Sequence, residues 1–189
     1  KTTAAHRGVY EVRLDADRLS GNPFFDHQLT VTFERPDGSE VIVDGFFDGG
    51  NVWKARAYFD QVGRWKWQSE SKTRQLNGAG GTFNVVASNL PGKLRKHPDD
   101  PFQFARDDGS WFLHIGDTGY RYVVASEPEW QEYIDQASVA GFTKIRTWFA
   151  QSRSTIEALY AKDRSRLQLA YWQETDRRLL YALDKYPHI

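Results

Sequence analysis

In the run Gly141–Phe149 a cation sits where a buried parallel strand should be apolar. Strand side chains alternate between faces, so Lys144, Arg146 and Trp148 share one face, and Ile145, Thr147 and Phe149 the other. The second set suits packing on helices. A guanidinium in the first set needs partners, because an uncompensated buried charge is costly. What Arg146 offers chemically is support for a nearby carboxylate, whose charged form an adjacent cation favours. The alternative is a structural ion pair or an exposed strand end.

An earlier run, Trp111–Gly119, ends in a second set of chemically able residues. Asp117 stands at the carboxyl end of a predicted strand, where parallel α/β barrels build their sites. It can take a substrate hydroxyl or cap the Gly116–Gly119 turn, since aspartate stabilises turns by local bonding. Thr118, Tyr120 and Tyr122 are rim candidates. Trp148, at the end of its strand, can stack on a flat apolar ring face or pack. His114 falls within the first strand, where a hydrogen-bonded core residue is the more usual role and a substrate contact the alternative.

The elements that would position these residues alternate. Ser126-Glu-Pro-Glu129 forms a capping box, and Trp130, Tyr133, Ile134 and Ala137 then fall on one helical face. Gly141 ends this helix. Residues 150–168 read as a long polar loop with a short helical piece near Ile156–Tyr160. A second helix spans Tyr171–Tyr186, with Trp172, Thr175, Leu179 and Leu183 on one side and Pro187 as its stop. Strand, helix, strand, helix implies parallel strands with right-handed crossovers.

Residues 8–87 follow a different grammar. Short alternating segments run over Val9–Leu14, His27–Phe33, Val41–Phe47, Val52–Phe59, Gly63–Ser69 and Thr82–Val86, separated by turns such as Pro36-Asp37-Gly38. This spacing predicts an antiparallel sandwich of immunoglobulin type. Asp48, Trp53, Trp65 and Trp67 are read as determinants of that fold rather than as a ligand platform. The expected fold class is multi-domain, β plus α/β: an immunoglobulin-like antiparallel β-sandwich over 1–90, a connector and hairpin over 91–110, and over 111–189 the N-terminal βαβα portion of a TIM barrel. Two parallel strands alone leave open edges and an uncovered helix face, so the remainder of the barrel or a second copy of the chain is an expected partner.

Composition narrows the function classes. Lys plus Arg and Asp plus Glu both total 25, a balance that argues against nucleic acid. Cysteine is absent, and the five histidines and scattered acids lack metal-ligand spacing, so no metal or cofactor is expected. No stretch approaches the roughly 18 apolar residues of a membrane span. The chain has no methionine, so Lys1 is read as other than a native start. Aromatic residues make up 15% of the chain, which suits carbohydrate handling as well as β-rich cores.

Several motifs together resemble a bacterial glycoside hydrolase architecture: an immunoglobulin-like domain of unknown function followed by an apiosidase-like barrel of the retaining clan. They are Asn22–Asp26, Gly45-Phe-Phe-Asp-Gly-Gly50 with Trp53-Lys54, and Gly63-Arg-Trp-Lys-Trp67 in the first half. In the second half they are Asp108-Gly109 with Phe112 and Gly116-Asp117-Thr118, then Gly141-Phe142 with Ile145-Arg146. Gly119-Tyr120-Arg121-Tyr122 departs slightly from the family pattern, which has an aromatic directly after the Asp-Thr pair.

The resemblance implies hydrolysis of a plant or algal polysaccharide with retention, in a secreted, periplasmic or cell-surface setting. Arg146 would hydrogen-bond the nucleophilic carboxylate. Asp117, Thr118, Tyr120, Trp148 and His114 would face the oligosaccharide or polysaccharide substrate. The two catalytic carboxylates would follow strands four and seven, so neither is expected in this chain; Glu157 and Glu174 lie on or beside predicted helices. The rival reading is a non-catalytic carbohydrate-binding or protein-interaction module.

Overall fold

The computed structural model describes residues 3–150 and 153–189. The chain divides into two compact units, Lys1–Gly92 and Lys93–Ile189.

The first unit is a β-sandwich. Its strands are β1 (Thr3–Ala5), β2 (Val9–Asp15), β3 (Thr30–Glu34), β4 (Glu40–Asp44), β5 (Phe46–Phe47), β6 (Val52–Tyr58), β7 (Gly63–Glu70) and β8 (Gly80–Val86). One sheet has the order β1-β8-β7-β3-β4 and the other β2-β6-β5. The alternation in the sequence sets which side chains enter the core. Val12 and Leu14, Val31 and Phe33, Trp53 and Ala55, and Phe83 and Val85 are all buried.

An aromatic cluster joins the layers: Phe59 meets Trp65 edge-on at 4.6 Å and Phe83 at 4.9 Å. Trp65 and Trp67 share a face as predicted, but only Trp65 is fully buried. Asp48 accepts an ion pair from Lys54 at 2.7 Å.

Two details depart from the sequence reading. The expected strand Val41–Phe47 is split at Gly45, where the chain passes from one sheet to the other. The Leu29 side chain presses so close that a Cβ on Gly45 would stand 2.4 Å from it, so no larger residue fits. The sandwich is also not wholly antiparallel, because β1 pairs with β8 in parallel.

The second unit opens with a three-stranded antiparallel sheet of β9 (Leu94–Lys96), β10 (Phe104–Arg106) and β11 (Trp111–Phe112). The predicted hairpin is thus present, joined by an additional strand from the connector. Beyond it, β12 (Gly116–Asp117) and β13 (Lys144–Ile145) pair in parallel, with helix α1 (Glu127–Val139) between them. Helices α2 (Arg153–Leu159) and α3 (Leu169–Lys185) follow.

The capping box forms as read: the Glu129 carboxylate accepts the Ser126 backbone N–H at 2.9 Å and its hydroxyl at 2.8 Å. The two parallel strands are far shorter than the nine-residue runs predicted. Among the described residues each has only the other as a ladder partner, and bonds to Ile115 and Asp117 complete the pairing.

Packing in this unit centres on Tyr122, Val123, Trp130 and Ile134, with Ile145, Leu179 and Ala182 against them. The buried seam of α3 differs from the expected apolar stripe. Thr175 and Arg178 are buried, whereas Leu183 is 53% exposed. Arg178 is a buried cation with a charged partner, a backbone acceptor and an aromatic ring against it. Its Nε donates to Glu174 at 2.7 Å, its Nη1 donates to the Tyr122 carbonyl at 2.9 Å, and it lies over the Trp130 ring at 5.4 Å. The Tyr122 hydroxyl donates in return to the Arg178 carbonyl at 2.7 Å.

Arg178→Ala should destabilise the protein by about 2 kcal/mol, since it leaves the Tyr122 carbonyl unpaired and removes a charge-assisted bond. Arg177→Ala, at an exposed pair, should cost less than about 1 kcal/mol. Urea unfolding followed by tryptophan fluorescence compares the two, and equal costs would contradict this ranking. Arg177, and then Arg178, hold the Glu174 carboxyl at about 2, below its ordinary 4.5. A depressed folded value means stability present above pH 4.5 and lost as pH falls toward 2. Glu174→Gln should flatten that part of the urea-midpoint profile.

Candidate functional site

Because β12 and β13 are parallel, their carboxyl ends lie on the same side, and the residues that follow both strands gather there. The Arg146 N–H donates to the Asp117 carbonyl at 3.0 Å, fixing the two exits against each other. The Thr147 hydroxyl reaches the Tyr120 carbonyl at 3.5 Å and ties the following segments together. The alternation expected for the second strand holds on one face, with Lys144, Arg146 and Trp148 exposed. On the other, Ile145 and Thr147 are half-buried, while Phe149 is exposed.

Four of the predicted residues come together at these exits. Asp117 is exposed, and its Oδ1 accepts the Thr118 N–H at 2.6 Å, the local turn bond that its sequence context allows. Its Oδ2 accepts the Tyr133 hydroxyl at 3.4 Å. Tyr120 and Trp148 meet edge-to-face, with ring centroids 4.6 Å apart and both rings partly open to solvent. Thr118, Tyr120, Glu129 and Tyr133 line a cleft of about 340 Å³ together with Trp130.

Arg146 leaves the same strand end. It is exposed and has no side-chain partner among the described residues. Tyr122 is buried instead of standing at the rim. His114 precedes β12 and sits at the other end of the strand, exposed, with its ring 5.9 Å from that of Phe112; it is neither inside a strand nor in the core.

Tyr133 belongs to the site although the helical pattern marks it only as a packing residue. Its ring lies on Gly119, where a Cβ would stand 2.5 Å away, and its hydroxyl reaches Asp117. Burial, and then the negative charge of Asp117, push the phenol up to about 12. The available signal was chemical: a tyrosine on a packing face carries a polar tip that must find a partner.

The ensemble can bind a polyol, with a carboxylate to accept hydrogen bonds from hydroxyl groups and an aromatic pair to cover an apolar ring face. Among the described residues no group of three His, Asp or Glu could hold a metal ion, and no helix is long and apolar enough to cross a membrane.

Residues 6–72 match a family described as a domain of unknown function, DUF5060. The fold is similar to that of a solved structure described as "a putative glycoside hydrolase from Bacteroides vulgatus", with a TM-score of 0.81 and 23% identity. That likeness covers 95% of this chain but 39% of the other, so this chain spans well under half of its length. A Lin-41 filamin domain aligns over 45% of this chain and 83% of its own, at 16% identity and a TM-score of 0.36, too weak a likeness to carry an argument. No curated protein matches.

Asp117→Asn should lower the pKa of Tyr133 part of the way toward that of an ordinary phenol, because the charge is removed and the burial stays. Ultraviolet titration of the parent and variant, each with and without Tyr133→Phe, isolates this one phenol. An unchanged value would mean that Asp117 does not act on it.

Proposed function

We infer that this chain is the N-terminal part of a glycoside hydrolase. On this reading the first unit is an immunoglobulin-like accessory domain, and the parallel pair in the second is the start of an apiosidase-like (β/α)8 barrel. The observation that carries the proposal is the placement of Arg146. It is an exposed cation without a side-chain partner among the described residues, at the same strand exits as Asp117 and the Tyr120–Trp148 pair. Similarity of fold over 95% of the chain to a protein described as "a putative glycoside hydrolase" supports it.

The intact enzyme would act by double displacement on plant or algal polysaccharide. One carboxylate attacks the anomeric carbon while a carboxylic acid protonates the departing oxygen. Water, activated by the resulting carboxylate, then breaks the glycosyl–enzyme ester. Both carboxylates would lie beyond this chain. Arg146 would keep the nucleophile ionised. Asp117 would accept a hydrogen bond from a hydroxyl of the bound sugar, and Trp148 with Tyr120 would cover one of its faces. Secretion to the periplasm, cell surface or medium fits a polymeric substrate.

The 189-residue chain should release no reducing sugar from pectic or hemicellulosic polysaccharides, and clear turnover would sink this reading. In the longer protein, Arg146→Lys should lower kcat at least tenfold. It should also move the acid limb of the kcat/KM profile to higher pH, because a less well-supported nucleophile takes up its proton sooner. A loss of rate with an unmoved acid limb would reduce Arg146 to a structural role.

A further inference from the structure

The outer face of the five-stranded sheet in the first unit is hollow. Strand register arranges its outward side chains in cross-strand rows. One row runs Glu40, Glu34, Lys66, Thr82. The next runs Ile42, Thr32, Gln68, Gly80, and a third Asp44, Thr30, Glu70. Gly80 contributes no side chain, so the middle row is low at that end. Even a methyl there would come within 2.9 Å of the Trp67 carbonyl oxygen. The result is a cleft of about 880 Å³ floored by Thr32 and Gln68. Glu34 and Lys66, paired at 2.7 Å, form one wall, and Glu70 and Asn77 the other. Its volume falls within the range of small-molecule sites.

The chemistry of this cleft restricts its occupant. Carboxylates accept, an ammonium and the Asn77 amide donate, and Gln68 and Thr32 do both, which matches a ligand dense in hydroxyl groups. The Asn77 Oδ1 is already taken by the Ser71 N–H at 3.0 Å, so its amide hydrogens are what it presents. A peptide cannot add as a strand here, because β3 and β7 on the floor are paired on both sides. The lining holds Glu34, Glu40 and Glu70 against the single cation Lys66, so an anionic chain is repelled.

We propose that this cleft binds a neutral oligosaccharide lying across β3, β7 and β8, held by Thr32, Glu34, Gln68 and Glu70. The choice of a saccharide among polyhydroxyl ligands rests on the glycosidase reading; the site, its residues and its preference for a neutral ligand do not.

Isothermal titration of the 189-residue chain with cellohexaose, xylohexaose and mannohexaose, against hexagalacturonate, tests the proposal. At least one neutral hexaose should bind, with hexagalacturonate at least tenfold weaker. Gln68→Ala combined with Glu70→Ala should weaken binding at least tenfold while circular dichroism and the thermal midpoint report a folded protein. Arg13→Ala, on the other sheet, should leave binding unchanged. No binding by any neutral hexaose, equal or tighter binding of hexagalacturonate, or binding that survives in the cleft variant and vanishes in Trp148→Ala would each overturn it. Hydrolysis by the longer protein is a separate measurement. A hydrolase with an empty cleft removes this proposal alone, and a binding cleft without hydrolysis supports it while removing the enzyme reading.

Discussion

Arg178 is the charge on which the second unit depends. A guanidinium that is 7% exposed must be compensated, and the compensation dictates where neighbouring segments lie. Its bond to the Tyr122 carbonyl, answered by the Tyr122 hydroxyl on its own carbonyl, locks the segment after β12 to the middle of α3. That segment carries Gly119 and Tyr120. The position of the Tyr120 ring against Trp148, and of Gly119 against Tyr133, therefore follows from a polar contact in the core of the unit. Its place over the Trp130 ring at 5.4 Å, shared with Arg177 at 5.1 Å, extends the same anchor to α1. An apolar side chain at position 178 could fill the volume but could not specify the register between α3 and the turn.

The first unit reaches definition by another route. Its core is rich in aromatic side chains, with Trp53, Phe59 and Trp65 buried between the sheets. Burying side chains of that size contributes about 2–3 kcal/mol each by transfer alone. Polar bonds at its surface then set the turns: Asp37 takes the Ser39 N–H and hydroxyl and the Gln61 amide, which holds its carboxyl at about 2. The outward positions of the same strands are thereby relieved of any packing duty, and polar groups can occupy them freely. The cleft over Thr32 and Gln68 is built from those positions.

What could be read from the sequence follows from which forces act locally. Alternation of apolar residues reports burial on one face directly, so β2, β3, β6 and β7 were legible to within a few residues. The capping box at Ser126 and Glu129 was legible because both partners lie within one turn. The strand Thr3–Ala5 was not, since three small residues have no amphipathic period and pair only through backbone. Nor was β9, in a segment rich in proline and glycine, which exists because β10 supplies a partner. On α3, apolar periodicity pointed to Leu183, but the seam is decided by Arg178, whose burial depends on Tyr122, 56 residues away. Tyr133 hid for the same reason: its role depends on where Asp117 ends up.

The exposed face of β13 can be weighed by the same rule that governs Arg178. Exposed to water, the Arg146 guanidinium costs nothing to leave without a partner. Any element that comes to cover Lys144, Arg146 and Trp148 changes this, because desolvating an unpaired cation costs several kcal/mol. Apolar covering alone would therefore be rejected. An element that brings a carboxylate to within hydrogen-bonding reach of Arg146 would be accepted, and the carboxylate it brings would be held in its charged form. The cation selects both what can close over this face and the protonation state of the group that arrives with it. A nucleophilic carboxylate must meet that same requirement.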